Sequence, residues 1–278
     1  MIEHPITIKI IVDNNAADGF VAEHGFSVYV DNGLDHIIFD CGQGSAFKSN
    51  IKKLDIDLSG VSKLVISHGH YDHTGAVKDI LCASRNIKFY AHPDIFENRY
   101  SIHNGGDPKN ISVNSTQLQS VKDLPEQKII LDIVPTKISN NVFITGEISR
   151  SNNFEDTGGP FYLDKEKNVA DLIYDDQSLC IETTKGIVLI TGCCHSGIVN
   201  TMDQVKNYFD QNIYMVIGGL HLIHANNERI NKTINAFSQY GVEKIIPCHC
   251  TGENAVKLMQ RNLGNVVEPG YAGMEIKL

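Results

Sequence analysis

The sequence predicts an α/β fold in which mixed β-sheets are covered by helices. Two observations predict it: short apolar, β-branched runs recur along the chain, and helical patterns alternate with them in the second half. The first predicted strands follow one another closely, as in hairpins, whereas the later ones are separated by helices. This order indicates an α/β sandwich with two similar halves.

Nine segments have the apolar, β-branched character of strands. They are residues 6–13, 26–31, 36–41, 62–67, 87–92, 178–184, 187–192, 213–219 and 243–249. Helical patterns lie between several of these strands and after the last one. They cover residues 45–54, 74–83, 197–209, 227–240 and 252–262. Residues 93–160 are rich in Asn, Ser, Gly and Asp and lack periodicity, so long loops that serve as lids or binding segments are expected there.

Composition narrows the range of partners. The 278 residues suffice for one large domain or two small ones, and 42% hydrophobic residues can form a proper core. A net charge of −9 opposes binding to phosphate backbones, so nucleic acid is not an expected partner. No stretch approaches the roughly 18 apolar residues of a membrane span, and no basic segment precedes an apolar one at the N-terminus. We therefore expect a cytoplasmic protein without a membrane partner.

The seven cysteines are expected to be reduced thiols. Four of them lie close to histidines, in GCCHSG and PCHCTG, which raises the question of a four-thiolate zinc site. Adjacent cysteines and a Cys-x-Cys pair lack the two-residue gap that lets both thiolates reach one tetrahedral ion. We interpret these cysteines as small packing residues.

The stretch SHGHYDHTG places three histidines and an aspartate directly after a predicted strand. His68 and His70 are one residue apart, so in an extended loop both imidazoles can point the same way and bind one ion. Asp72 and His73 follow at once and can bind a second ion, while Gly75 allows close approach where the next helix begins. The stretch therefore predicts a metal-binding loop at the carboxyl end of a strand.

Three later histidines repeat this placement. His195, His221 and His249 each lie just past a predicted strand and before a helical segment. Strand ends of the same sense lie along one rim of a sheet, so these side chains are expected to converge on the metal loop.

Together, HGHYDH and the single histidines after ITGCC, IGGL and IPC resemble the metallo-β-lactamase superfamily over most of the chain. The resemblance implies a four-layer αβ/βα sandwich, formed by one domain over residues 1–278 with a loop or lid insertion at about 93–160. It also implies a dinuclear metal site along the edge of the two sheets. Zn²⁺ is the expected ion, with Mn²⁺, Fe²⁺ or Mg²⁺ as alternatives, and one or two ions are expected.

The resemblance also implies a role for individual residues. Asp40, in IIFDCG, matches an aspartate that supports the metal loop from behind, with a simple turn residue as the alternative. The first ion is assigned to His68, His70 and His195, and the second to Asp72, His73 and His249.

His221 is a departure from the superfamily pattern, because related hydrolases usually carry a bridging aspartate at this point of the chain. A neutral imidazole cannot bridge two cations as a carboxylate does, so the second ion is expected to be held more weakly. His221 either binds one ion or acts as a proton donor or anion-stabilising group. Asp72 and His221 are the residues expected to take part in catalysis.

A narrower resemblance concerns VDNN, AEHGFS, DDQSL, TGCCHSGIVN, GGLHL and PCHCTG. These segments are similar to the subgroup that includes an archaeal dihydropterin transferase of methanopterin synthesis. It suggests Glu23, His24, Asp175 and Asp176 as pocket residues, with turn or edge-strand polar residues as the alternative.

Three functions remain open at this point. The first is a metal-dependent hydrolase in which a bound cation activates water against a small ester or phosphoester. The second is a dihydropterin-diphosphate transferase, and the third is a non-catalytic metal-binding or ligand-sensing module. The substrate is expected to be a small anionic or phosphorylated molecule, and a homo-oligomer is compatible with the sequence.

Other enzyme classes are disfavoured. A nuclease would need a basic face, which a net charge of −9 disfavours. A redox member of the superfamily would carry cysteines at the spacing of an iron site, and this spacing is missing. The HSG sequence around Ser196 lacks the G-x-S-x-G strand-to-helix turn of a serine nucleophile.

Overall fold

Two β-sheets packed face to face form the centre of the molecule in the computed structural model, which describes residues 5–278. The single domain expected from the sequence begins at residue 1, so its first four residues lie outside this range. Within the described residues, the first sheet has seven strands in the order β16-β1-β2-β3-β4-β5-β8. They are β1 (Thr7–Val12), β2 (Ser27–Asp31), β3 (His36–Phe39), β4 (Lys63–Val65), β5 (Lys88–Ala91), β8 (Ile129–Leu131) and β16 (Glu275–Lys277).

The second sheet has the order β15-β14-β13-β12-β10-β9 over the same part of the chain. Its strands are β9 (Thr136–Lys137), β10 (Val142–Ile144), β12 (Ser178–Thr183), β13 (Gly186–Thr191), β14 (Ile213–Gly219) and β15 (Lys244–Cys248). Both sheets are mixed: β3, β4, β5 and β8 are parallel in the first, and β13, β14 and β15 are parallel in the second. A small antiparallel sheet is formed by β6 (Tyr100–Ser101), β7 (Lys109–Asn110) and β11 (Phe161–Tyr162).

Helices cover the outer face of each sheet. They are α1 (Ser45–Lys53), α3 (Val77–Ala83), α4 (Ser115–Lys122), α5 (Ile198–Tyr208), α6 (Asn227–Tyr240) and α7 (Glu253–Leu263), whereas the short α2 (Tyr71–Thr74) belongs to the loop after β4. Short 3₁₀ turns occupy Leu58–Gly60, Pro93–Phe96, Glu126–Lys128, His249–Thr251 and Gly264–Val266. One apolar cluster lies between the two sheets, a second joins the first sheet to α1, α3 and α4, and a third joins the second sheet to α5, α6 and α7. The four-layer sandwich expected from the sequence is confirmed.

Strands buried on both faces explain the continuous apolar runs in the sequence. In β3, Ile37 and Phe39 belong to the cluster between the sheets, whereas Ile38 packs against the helices. In β13, Val188 faces the other sheet and Leu189 faces the helices. Because successive side chains point to opposite faces, each such strand needs apolar residues at every position.

The predicted elements agree with the structure, with two exceptions. All nine predicted strands are present, and four of the five predicted helices lie within one or two residues of their expected ends. The helix expected at 74–83 is instead two helices, α2 and α3, because the chain turns at Gly75 and Ala76, where the Gly75 amide donates to the carbonyl of Gly42.

The expectation of long loops over residues 93–160 is wrong in part. This segment contains α4 and strands of two or three residues, of which β8 extends the first sheet while β9 and β10 extend the second. Strands this short leave no visible alternation in sequence, since pairing with an existing sheet edge stabilises them. Among the described residues, no helix combines the length and apolar character that crossing a bilayer would require.

Candidate metal centre

The candidate ligands lie where strands of both sheets end. The first loop follows β4 of the first sheet, and the later histidines follow β13, β14 and β15 of the second sheet. The parallel register of those three strands, in which Thr191 pairs with Gly218 and Gly219 with Cys248, brings their carboxyl ends to one edge. The residues that follow therefore face the β4 loop across the rim of the sandwich.

His68, His70 and His195 form one buried cluster. Each of the three presents a ring nitrogen within 4.8 Å of the other two, and Nε2 of His68 lies 2.9 Å from Nδ1 of His70. Burial lowers the pKa of all three imidazoles well below the usual value, so the rings are neutral and their lone pairs are available. Nε2 of His70 and Nε2 of His195 have no hydrogen-bond partner, although both are buried. Buried ring nitrogens that lack partners and lie close together are suited to binding a cation.

Hydrogen bonds from behind fix the orientation of these rings. Nδ1 of His195 lies 2.7 Å from the carbonyl oxygen of Thr157, to which it donates in the tautomer that leaves Nε2 as an acceptor. Nδ1 of His68 lies 2.9 Å from the Ser67 hydroxyl. Metal-binding histidines commonly show this arrangement, because a hydrogen bond at one ring nitrogen selects the tautomer that leaves the other nitrogen free to bind the metal.

A second cluster surrounds the carboxylate of Asp72. Its Oδ2 lies 3.1 Å from Nε2 of His24, 3.4 Å from Nε2 of His249 and 4.0 Å from Nε2 of His73. Burial opposes ionisation of Asp72, but hydrogen bonds from His24 and His249 outweigh it and hold the pKa of Asp72 well below its usual value. Asp72 is therefore an anion in a pocket of imidazoles, which is a suitable ligand set for a divalent cation.

Asp40 lies directly beneath the metal loop and is completely buried. Its carboxylate accepts hydrogen bonds from the amide and hydroxyl of Ser67, both at 2.7 Å, and lies 2.7 Å from Nδ1 of His73. Burial alone would lower the pKa of His73, but the Asp40 carboxylate outweighs it and raises that pKa to about 9. One carboxylate thus holds both ends of the loop that carries His68 to His73.

His221 and His249 occupy strained backbone positions at the ends of β14 and β15. Their φ angles are 45° and 46°, a left-handed conformation that non-glycine residues adopt rarely and mostly at functional sites. The His249 amide donates to Asp13 at 2.7 Å, and Nδ1 of His249 lies 2.9 Å from Oδ1 of Asn14. These contacts leave Nε2 of His249 facing Asp72.

The His221 ring stands beside that of His195, with 4.3 Å between centroids. Burial, followed by the neighbouring His249, lowers the pKa of His221 to about 3, so the ring is neutral at physiological pH. Its Nδ1 has no hydrogen-bond partner and faces Gly158, where a Cβ would come within 1.8 Å of that atom. A glycine at position 158 is therefore required for the ring to occupy this place.

Of the four residues suggested as pocket lining, the structure places His24 at the cavity and the other three elsewhere. The Glu23 carboxylate accepts from the amides of Gln43, Ser45 and others at the start of α1. Asp175 accepts from the Gly69 amide at 2.7 Å, and Asp176 accepts from the Ser196 amide at 2.7 Å. Asp175 and Asp176 are thus fully buried supports of the metal-binding loops.

Two cysteines at the centre were not expected there. Sγ of Cys193 lies 3.2 Å from Nε2 of His73, and Cys193 and Cys250 each offer a sulfur within 4.8 Å of the other and of a ring nitrogen of His221. A signal was present, since Cys193 precedes His195 by two residues and Cys250 follows His249 directly. The spacing within each pair disfavours a shared ion, but nothing in the sequence shows that the two pairs meet in the folded chain.

A cavity of about 330 Å³ opens above the clusters. The Phe161 ring forms one wall, with its centroid 5.4 Å from that of His70 and 5.3 Å from that of His195. Segments from the region between residues 101 and 161 complete the wall, and they include Lys109, whose ammonium group donates to the hydroxyl of Tyr71 at 3.1 Å. The size and the mixed apolar and polar lining suit a small molecule.

The four-layer sandwich and the histidine-rich edge define an α/β protein with a candidate metal centre. Residues 21–206 match the family model described as the metallo-beta-lactamase superfamily. The chain belongs to this superfamily.

Two relatives come from Methanocaldococcus jannaschii. One, the 7,8-dihydropterin-6-methyl-4-(beta-D-ribofuranosyl)-aminobenzene-5'-phosphate synthase, is 32% identical over 93% of this chain and 91% of its own length. The other, an uncharacterized protein, is 34% identical over 92% of this chain and 94% of its own length. The crystal structure of Tm1679, a metal-dependent hydrolase of the beta-lactamase superfamily, is similar with a TM-score of 0.82 and 31% identity, covering 98% of this chain and 99% of that one.

Proposed function

We propose that this protein is a metal-dependent hydrolase that acts on a small anionic ester or phosphoester. The observation that carries the proposal is the pair of neighbouring clusters: buried Nε2 atoms of His70 and His195 without hydrogen-bond partners in the first, and the Asp72 carboxylate 3.4 Å from Nε2 of His249 in the second. Buried polar atoms without partners are unfavourable, and a bound cation would satisfy them.

The residues present fit one or two divalent ions. His68, His70 and His195 would hold the first. Asp72, His73 and His249 would hold the second, since Nε2 of His249 and Nε2 of His73 lie 3.4 Å and 4.0 Å from Oδ2 of Asp72. Asp40 and Thr157 would orient the rings. Zinc is the expected ion because the donors are mainly imidazoles with one carboxylate. When bound, such an ion lowers the pKa of a coordinated water toward about 7 and so supplies hydroxide at neutral pH.

The protein's own residues supply the remaining steps. His221 is neutral, so it would donate a hydrogen bond from its ring N–H to the oxygen on which negative charge develops, or else act as a ligand. Phe161 covers the histidine cluster and excludes water from one side. Lys109 at the cavity would attract the anionic group of the substrate.

The test is metal content and turnover in variants of the cluster. In His70→Ala and His195→Ala, the affinity for zinc should fall by at least about 100-fold. The rate of hydrolysis of phosphoester or ester chromogens should fall by at least about the same factor. His36→Ala is the matched control, because His36 begins β3 at the opposite end of the sheet and contacts Tyr29 and Asp31. Full turnover in a metal-free His70→Ala protein would refute the proposal.

His221→Ala separates its two candidate roles. If the ring donates a hydrogen bond in the transition state, turnover should fall more than metal content; if it is a ligand, both should fall together.

A second candidate function is the dihydropterin-diphosphate transferase reaction. It is favoured by the 32% identity to the archaeal synthase over 93% of this chain. In that case an aminobenzene acceptor, instead of water, would attack, and the Phe161 wall would shield the centre from solvent. Incubation with a dihydropterin methyl diphosphate and a ribofuranosyl-aminobenzene phosphate would discriminate: coupled product supports the transferase, whereas pyrophosphate without coupled product supports the hydrolase. Stoichiometric metal without turnover in either assay would favour the non-catalytic module.

A further inference from the structure

Two cysteines beside His221, Cys193 and Cys250, have no role in the reaction proposed above. Cys193, His221 and Cys250 come from the ends of β13, β14 and β15, and each offers one ligand atom within 4.8 Å of the other two. All three are buried, with exposed fractions of 3%, 8% and 5%. Adjacent parallel strands thus present two sulfurs and a nitrogen to one point.

The contacts of these sulfurs are with the metal centre. Cys193 Sγ also forms a group with His68 and His73, whose atoms lie within 4.8 Å of one another, so it stands between the two histidine clusters. Cys194 next to it behaves differently, because its Sγ faces Thr201 at 3.5 Å and packs with the apolar cluster under α5. Cys193 and Cys194 are both buried, but the sulfur of Cys193 faces the metal centre and that of Cys194 faces the apolar core.

We propose that Cys193 and Cys250 bind a soft divalent cation of the zinc class as thiolates, with His221 as the third ligand. Two sulfurs and one nitrogen are a donor set that favours zinc or cobalt over magnesium and manganese. Atoms bound to one tetrahedral zinc lie roughly 3.5–4 Å apart, which the observed separations allow with small side-chain rotations.

Cys193 is also placed where it could replace the bridging carboxylate that this chain lacks. The superfamily resemblance implies an aspartate at the position of His221, and a neutral imidazole cannot join two cations. Cys193 adjoins His68 of the first ligand set and His73 of the second, and as a thiolate it would carry the negative charge that the imidazole lacks. The thiols lose their protons when the cation binds, and the released protons pass to solvent. The inference rests on the metal binding in the proposed function and is independent of which reaction the centre performs.

Cobalt substitution tests the proposal without an activity assay. Metal-free protein reconstituted with Co²⁺ should show a near-ultraviolet sulfur-to-cobalt charge-transfer band. The band should lose about half its intensity in Cys193→Ser and in Cys250→Ser, disappear in the double variant, and keep its full intensity in the matched control Cys194→Ser. Both single variants should also bind zinc more weakly than the wild type, whereas Cys194→Ser should not. A wild-type cobalt protein without the band, or a band that keeps its full intensity in both single variants or survives in the double variant, would overturn the proposal.

A second measurement covers variants that fail to fold. Zinc-edge X-ray absorption of the wild-type protein should show sulfur at about 2.3 Å from zinc, and a shell of nitrogen and oxygen alone would overturn the assignment. A Cys193–Cys250 disulfide in the metal-containing protein, detected by thiol titration, would overturn it as well. Loss of the hydrolase proposal would leave the cobalt band in place, so the two failures are distinguishable.

Discussion

Asp40 positions the metal loop although it is not itself assigned as a metal ligand. It has no direct place in either histidine cluster, yet its carboxylate fixes Ser67 at the start of the loop and His73 at its end. Ligand orientation by an outer carboxylate commonly contributes 10–100-fold to metal affinity. Asp40 is therefore expected to influence both the shape of the metal loop and its affinity for metal.

Replacing Asp40 by Asn should weaken zinc binding by roughly 10–100-fold, because the amide cannot hold the His73 imidazole as the carboxylate does. Competition with a chromogenic chelator measures the change. Asp55→Asn is a matched control, since Asp55 shares the left-handed backbone conformation, with φ 52° against 57° at Asp40, but is exposed. Unchanged zinc affinity in Asp40→Asn would show that the loop holds its shape without this carboxylate.

Metal binding should also release a proton from His73. The Asp40 carboxylate outweighs burial and raises the pKa of His73 to about 9, so in metal-free protein at pH 7 this ring is protonated and must lose a proton to become a ligand. The number of protons released per zinc should fall as pH rises through 9, where the ring is already neutral. Calorimetry in buffers of different ionisation enthalpy counts the protons.

The control for this count is Asp40→Asn, in which the pKa of His73 loses its main raising influence. Ionisation of a zinc-bound water contributes equally to both proteins, so the variant should release about one proton fewer at pH 7. Equal counts in both proteins would mean that His73 is neutral before the metal binds.

At the scale of elements, the turn between α2 and α3 depends on close backbone contact. A Cβ on Gly75 would lie 2.1 Å from the backbone carbon and oxygen of Gln43, so the two loops touch through main-chain atoms. Gly75→Ala should lower the free energy of unfolding by about 1–3 kcal/mol, since the backbone must move apart. Urea denaturation measures it. Gly60→Ala is the control, because nothing lies within 4 Å of its Cβ position, and an equal loss there would contradict the argument.

Sequence patterns identify the elements that are long and buried on both faces. The nine predicted strands carry continuous apolar runs because each contacts two layers, and the histidines after them converge because parallel strands end at one edge. The short strands β8, β9 and β10 could not be predicted, since neighbouring strands stabilise them.

Four residues at the site could not be placed there from the sequence alone. Gly158 and Phe161 reach the histidines from a segment without periodicity, so only the folded chain shows them beside His70, His195 and His221. Cys193 and Cys250 are 57 residues apart and meet because β14 lies between β13 and β15. Spacing along the chain carries no information about such a meeting.

At the scale of the whole molecule, the candidate ligands connect the two sheets. His68, His70, Asp72 and His73 follow a strand of the first sheet, whereas His195 and His249 follow strands of the second. The sheets otherwise meet through the apolar cluster between them. A cation bound at their common edge would therefore act as a cross-link that the unfolded chain lacks.

Removal of the metal should consequently destabilise the entire fold, and not the loops alone. With free zinc at about 100 times its dissociation constant, the bound state gains about 2.7 kcal/mol over the metal-free one. For a chain of this size that corresponds to a rise of roughly 5–10 °C in the thermal midpoint, because the midpoint shifts by a few degrees per kcal/mol. Thermal unfolding with added zinc and with a chelator, followed by far-ultraviolet circular dichroism, measures the difference. In His70→Ala the two midpoints should come closer together, whereas in the control His36→Ala the full difference should remain. A wild-type midpoint that is the same with zinc and with chelator would mean that the cation does not join the two sheets.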